Sequence, residues 1–280
     1  MAADVKNGIF WIHERSEVCH CSRLKSYPDG SWELMACEKP IFREPGLEPV
    51  DKSVHKSKVS RKRDTSGERS EPDVERARRR AASKVRDLAL CNDFRWFVTL
   101  TLDQQRVDRY DMGAIMRKVN SWLDNAVRRW GLRYVLVPER HKDGAVHFHG
   151  FFSDAVAAVD SGHKDSGGHA VFNLPQWRFG FTAAIELYGS YSSAVGYVCK
   201  YVRKQDEKIG GRWYYSGGAL RTPDVSYGDV DVGDLVDAGA YTFCVPGAQF
   251  AILRGGECDG CGMDGSAPKA RCNSGGAGDG

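Results

Sequence analysis

Two histidines separated by one residue, His147 and His149, lie inside Val146-His147-Phe148-His149-Gly150-Phe151-Phe152, and no other stretch restricts the fold as much. Side chains on a β-strand alternate faces, so the two imidazoles point the same way. Val146, Phe148, Gly150 and Phe152 take the opposite face and can bury against a core. Such a strand is half-covered, and its imidazoles make a ready pair of metal ligands. A chance His-x-His at a strand edge has the same local pattern, so the reading depends on what the rest of the chain sets against it.

The segment from Arg133 to Glu139 reads as a neighbouring strand, joined to the histidine strand by a turn whose length decides what faces the histidines. A two-residue Asp143-Gly144 loop sets Glu139 opposite Phe148, on the core face. A three-residue Lys142-Asp143-Gly144 loop, with Gly144 in the left-handed conformation, sets Glu139 opposite His147. Only the second completes a three-ligand set of His147, His149 and Glu139, and it is the arrangement expected. Upstream, Trp96, Val98, Leu100 and Leu102 alternate with Arg95, Phe97, Thr99 and Thr101, a further strand. Ile115, Val119, Trp122, Leu123, Ala126, Val127 and Trp130 fall at helical spacings between about Asp111 and Trp130, with Gly131 where a left-handed cap belongs. Ser161 to Ala170 reads as a loop with exposed His163 and His169. Strand character resumes over Trp177 to Leu187, and Ser192 to Lys204 reads as a helix.

Around this compact region, predicted over 94–222, the chain divides into 1–50, an extension with strand-like Ile9-Phe10-Trp11-Ile12 and a turn at Tyr27-Pro28-Asp29-Gly30; 51–93, a basic linker and arm helix; and 223–280, an acidic then Gly-rich extension. Tyr241 to Leu253 suits a hairpin around Pro246-Gly247. The arm helix has a weakly apolar face (Val74, Ala77, Ala81, Val85, Leu88), which predicts loose packing with arginines outward. The net charge of +3 conceals an asymmetry: 52–86 carries thirteen Lys/Arg against five acids. Such a segment suits sequence-independent contacts to a nucleic-acid backbone, with Arg78, Arg79, Arg80 and Lys84 as candidates; a solvated charge run is the alternative. The nine cysteines show no disulfide framework, which favours a reducing compartment. Neither Cys19, Cys21 and Cys37 nor Cys258, Cys261 and Cys272 has an obvious fourth zinc ligand, so unpaired thiols are expected. The first fifteen residues lack the apolar centre of a signal peptide, and no apolar run approaches the roughly 20 residues of a membrane span.

Tyr197 and Tyr201, four residues apart, share one face of the last helix, and Lys200 and Lys204 follow each by three. A tyrosine hydroxyl is a poor nucleophile unless its charge is stabilised, which an ammonium group and a divalent ion can do from two sides. A tyrosine-rich packing face with solvated lysines is the plainer alternative. With the histidine pair, Glu139 and the basic arm, the parts point to metal-assisted cleavage of a phosphodiester by tyrosine through a covalent phosphotyrosine.

Three motifs in order carry a resemblance. Phe97-Val98-Thr99-Leu100-Thr101-Leu102, His147-Phe148-His149 and Tyr197-Val198-Cys199-Lys200-Tyr201-Val202-Arg203-Lys204 resemble motifs one to three of the HUH endonuclease superfamily. Within it they are similar to the two-tyrosine, gene A-like rolling-circle replication initiators of small single-stranded-DNA phages, viruses and plasmids. Trp177-x-x-Gly180 and Arg212-Trp213-x-x-Ser216-Gly217 are further family-like text. The resemblance spans about 94–222. It implies an α+β fold, a five-stranded antiparallel sheet flanked by helices in a ferredoxin-like or RRM-like arrangement. It also implies Mg²⁺ or Mn²⁺ as the ion, a 5′-phosphotyrosine link, and a free 3′-hydroxyl for a polymerase. The implied partners are single-stranded origin DNA and a host helicase, DNA polymerase and single-strand-binding protein, in the cytoplasm of a prokaryotic host cell. Tyr197 aligns with the attacking residue of one-tyrosine relatives. No Gly-x-x-x-x-Gly-Lys-[Ser/Thr] occurs, so no fused P-loop helicase is expected.

A relaxase or single-strand transposase of the same superfamily would share the fold. Relaxases usually offer three histidines where this chain offers Glu139, and transposases tend to be shorter. A cupin wants a glutamate where Ser153 and Asp154 stand, and a metallo-β-lactamase needs Asp and His at Phe151 and Phe152. From another class, a non-catalytic origin-binding protein has no need of the tyrosine and lysine pairs.

Overall fold

The computed structural model describes residues 2–6, 9–13, 19–43, 71–141, 143–187, 191–245 and 247–256, the first two stretches by backbone alone. The basic linker 51–70, Lys142, Pro246, and Cys258, Cys261 and Cys272 lie outside the described residues. In chain order, β1 (Ala2–Lys6) and β2 (Ile9–His13) pair with each other, followed by β3 (Cys19–His20), β4 (Ser22–Ser26), β5 (Trp32–Cys37) and β6 (Phe42–Arg43). Helix α1 (Glu71–Leu90) leads into β7 (Trp96–Leu102), α2 (Met112–Trp130), β8 (Tyr134–Arg140) and β9 (Val146–Phe152). Then come β10 (Val159–Lys164), β11 (Ala170–Asn173), β12 (Gly180–Glu186), α3 (Tyr191–Lys204), β13 (Tyr215–Gly217), β14 (Asp224–Gly228), α4 (Val232–Asp237), β15 (Tyr241–Val245) and β16 (Ala248–Gly255).

The architecture is α+β. One antiparallel sheet has the order β10-β11-β12-β7-β9-β8-β13, seven strands where five were expected. The two additional strands, β10 and β11, come from the stretch read as a loop. Its Gly, Ser and His composition gave no period-two pattern, and its strand residues are largely exposed, so burial could not reveal them in the sequence. Asp165 makes the turn by accepting the Gly167 and His169 N–H groups at 2.8 Å.

Alternation decides which side of this sheet each helix takes. Trp96, Val98, Leu100, Val146, Phe148 and Phe152 share a core with Ile115, Val119 and Leu123 of α2. That helix starts at Asp111, whose carboxylate accepts the Ala114 N–H, and ends at Gly131 in the left-handed region (φ 68°), both as its sequence predicts. The opposite face, with Val135, Val137 and Phe151, packs on α1 and α3 through Val85, Leu88, Ala89, Val195, Val198 and Val202. Burying each large apolar side chain is worth about 1.5–3 kcal/mol, so a one-residue slip of β9, which would turn every one of them over, is strongly opposed. Helix α1 is therefore a core element of the sheet, and the loose arm expected from its weak apolar face is corrected: Ala81, Ala82, Val85 and Ala89 are small enough to bring it close, and all are buried.

A second antiparallel sheet joins the two ends of the chain in the order β14-β4-β5-β16-β15. The turn between β4 and β5 is the expected one: Gly30 has φ 81° and Asp29 accepts the Ser31 N–H at 2.9 Å. The hairpin of β15 and β16 also lies where its sequence suggests, Val245 pairing with Ala248. The six described cysteines are free thiols. Among the described residues no helix is long and apolar enough to cross a membrane.

Candidate active site

The hairpin between β8 and β9 has the longer of the two loops considered. His141 N–H donates to Ala145 at 2.8 Å, Gly144 has φ 85°, and Glu139 pairs with His147 across the strands. Glu139 and both histidines consequently stand on the face covered by α1 and α3. His149 Nε2 lies 3.1 Å from Glu139 Oε2. Each imidazole is also held at its other nitrogen: Thr99 Oγ1 is 3.1 Å from His149 Nδ1, and Thr101 Oγ1 is 3.3 Å from His147 Nδ1. These threonines were not singled out from the sequence, although their two-residue spacing in β7 matches that of the histidines and was the available signal. His141 stacks on His147, with ring centroids 5.2 Å apart.

Burial, and then the neighbouring His147, lower the His149 pKa to about 4. Burial first and His141 second lower that of His147. Both rings are thus neutral donors at physiological pH. Burial raises the Glu139 pKa, against the opposing pull of Lys204 and His141. Two neutral imidazoles, each with Nδ1 engaged by a hydroxyl that can donate or accept, plus one carboxylate, are a donor set that fits a divalent ion. Among the described residues no three His, Cys, Asp or Glu side chains are gathered as ligands around a common point, and the facing atoms of His149 and Glu139 contact each other.

Helix α3 brings the tyrosines to this face. The Tyr201 ring lies flat on His149, centroids 4.2 Å apart and planes 2° from parallel. Its hydroxyl donates to that of Tyr197 at 2.6 Å. Tyr197 is 49% exposed and rests edge-on against Phe97. Burial, then the hydrogen bond to Tyr197, hold the Tyr201 pKa well above the ordinary phenol value, with Glu139 adding to the effect. Lys204 Nζ lies 5.9 Å from the Tyr201 ring centre. Lys200 is exposed on α3, and among the described residues no contact joins it to the tyrosines. The arrangement unites Glu139, His147, His149, Tyr197, Tyr201 and Lys204, and leaves Lys200 at its margin.

The four basic candidates on α1 have mixed surroundings. The Arg78 guanidinium pairs with Glu75 and donates to the Gln205 carbonyl at 2.9 Å, tying α1 to the end of α3. Arg79 bonds Glu75 at 2.9 Å. Although burial opposes it, these two arginines hold the Glu75 carboxyl below its ordinary range. Arg80 is exposed and Lys84 half-buried.

The face thus defines a class of site, in which two helix-borne phenols meet two strand-borne imidazoles and a carboxylate. A family model for the replication-associated protein ORF2 matches residues 95–206, a stretch that contains β7, β9 and α3 and so every residue of that face named above. No curated protein and no solved structure matches the chain significantly.

Proposed function

We propose that this protein is a replication initiator that nicks single-stranded origin DNA by tyrosine transesterification, leaves a 5′-phosphotyrosine intermediate and a free 3′-hydroxyl for rolling-circle replication, and then rejoins the strand. The observation that carries this reading is the meeting of α3 with β9: Tyr201 stacked on His149 and hydrogen-bonded to Tyr197. The similarity of residues 95–206 to replication-associated proteins supports it.

Tyr197 is the attacking residue, since it is the more exposed phenol and its oxygen already accepts a hydrogen bond. Its oxygen forms a bond to the scissile phosphorus as the bond to the 3′-oxygen breaks; the phenol proton leaves to solvent and the 3′-oxygen takes one up. Tyr201, held as a phenol, donates to the Tyr197 oxygen and stabilises negative charge there. Lys204 adds positive charge beside the pair. Mg²⁺ or Mn²⁺ bound by His147, His149 and Glu139 would supply Lewis-acid polarisation of the scissile phosphate. Thr99 and Thr101 orient the two imidazoles, and the exposed basic residues of α1 provide salt-sensitive backbone contacts. Because the phosphotyrosine keeps the energy of the original ester, the second tyrosine can take the strand over and rejoining needs no nucleotide triphosphate. A host helicase and single-strand-binding protein would then act on the same DNA.

Labelled single-stranded origin DNA, incubated with the protein and Mg²⁺ or Mn²⁺, should give an adduct that resists denaturation. It should disappear in the Tyr197→Phe, Tyr201→Phe double variant. An adduct that survives the double substitution would overturn the assignment, and a wild-type protein that binds the DNA without any adduct would leave only origin binding.

A further inference from the structure

The helices on the site's face lie over its β8 and β9 half, and the side toward β12 is open. Phe181 pairs with Thr101, Thr101 with His147, and His147 with Glu139. Directly opposed residues of antiparallel strands project from the same face, so these four form one row across the sheet. Phe181 is the most exposed large apolar side chain among the described residues, at 68%. The next, Val159 at 54%, stands on the same face: it pairs with Asn173 of β11, and Val171, two residues before Asn173, pairs with Ile185 of β12. The strand itself is not loose there, because Gly180 sits so close to the backbone of β7 that an added Cβ would lie 2.1 Å from the Thr101 carbonyl oxygen. A phenyl ring is thus held on a rigid strand, in the open, two strands or ~10 Å from His147.

We propose that Phe181 is a stacking platform for one unpaired nucleobase of the DNA strand that carries the scissile phosphate. This rests on the nicking function proposed above and adds a binding position to it. The row supplies the argument for that occupant: a strand whose phosphate lies at His147 and Glu139 continues over Thr101 to Phe181. An unpaired base offers an aromatic face of matching size, whereas a duplex has its base faces already stacked. Stacking of this kind is tolerant of base identity, so the position fixes the register of the strand more than its sequence.

The test uses the full-length chain in a Tyr197→Phe background, so that binding is measured without cleavage. A set of origin oligonucleotides carries one abasic site at each position beside the nick, and affinity is read by fluorescence anisotropy. Phe181→Ala should weaken binding of the intact oligonucleotide roughly 5- to 150-fold, and Phe181→Trp should retain it. One abasic position should cost the parent a similar factor and cost Phe181→Ala little more, since either change removes the same stack. Equal affinities for parent and Phe181→Ala, or an abasic profile unchanged by the substitution, would overturn the inference. A parent that binds duplex and single strand alike would do so too. The adduct assay on protein with both tyrosines separates the two levels: an adduct with no role for Phe181 leaves the nicking function standing, and a Phe181-dependent affinity with no adduct removes the nicking and keeps the platform.

Discussion

At the scale of single residues, the chemistry turns on one short hydrogen bond. Tyr201 remains a phenol because burial and its contact with Tyr197 disfavour its anion, so it is a standing donor to the Tyr197 oxygen. A hydrogen bond to a charged group is worth about 1.5–3 kcal/mol, or roughly 10- to 150-fold in a rate that depends on that charge. In a single-round nicking assay Tyr197→Phe should abolish adduct formation. Tyr201→Phe should instead lower the rate by that factor at neutral pH and recover as pH is raised, because solvent hydroxide replaces the missing stabilisation. A Tyr201→Phe variant with wild-type rate and an unchanged pH profile would show that the 2.6 Å contact has no part in activating Tyr197.

Among the elements, β9 is the most constrained, and Gly150 is the reason it can lie where it does. A Cβ at Gly150 would stand 1.9 Å from the Val135 carbonyl oxygen, which is backbone and cannot swing aside, so Gly150→Ala must push β8 and β9 apart. Destabilisation at or above ~3 kcal/mol is expected, together with loss of adduct as Glu139 moves from His147; a denaturant midpoint equal to wild type would refute this. The strand itself was legible in advance. Its alternation fixed which residues faced the core, and the three-residue loop ending at Gly144 fixed the partner of His147. The α2 caps at Asp111 and Gly131 and the tyrosine spacing on α3 were legible for the same reason, since local periodicity and turn chemistry act within a few residues. What could not be read depended on distant partners. The β10–β11 hairpin is exposed, so hydrophobic patterning did not mark it. Helix α1 looked too weakly apolar to be core, because alanine contributes little hydrophobicity but allows the close approach to α3 that buries Val85 and Leu88. The hold of Thr99 and Thr101 on the histidines became visible only once β7 was known to lie beside β9.

On the scale of the whole molecule, segments that read as two unrelated extensions form one sheet, and a buried ionic cluster fastens that sheet to α1. Lys25 of β4 reaches Asp87 at 2.7 Å, and Tyr27 donates to the same carboxylate at 2.9 Å. Glu33 of β5 pairs with Arg254 of β16 at 2.7 Å and with Arg86 of α1 at 3.3 Å. Chain ends, central helix and nicking face are therefore linked through charges that are nearly all out of water. Burial alone would raise the Glu33 pKa, but Arg254, Lys25 and Arg86 outweigh it and hold the carboxyl below its ordinary range. With the folded-state value depressed, the unfolded chain binds the proton more readily. The stabilisation is then complete above the unfolded value of about 4.3 and is lost as pH falls through the folded one. Urea midpoints of the wild-type protein should accordingly be level from neutral pH to about 5.5 and fall steeply below about 4.3. Glu33→Gln should be less stable by about 3–5 kcal/mol at neutral pH, since Lys25 and Arg86 keep their charge with less to balance it. Its midpoint should also fall less steeply in acid, because the group that binds the extra proton on unfolding is gone. Every other carboxylate is common to both proteins, so the difference between the two curves isolates Glu33. Parallel curves, offset or not, would mean that the Glu33 charge does not couple the terminal sheet to α1.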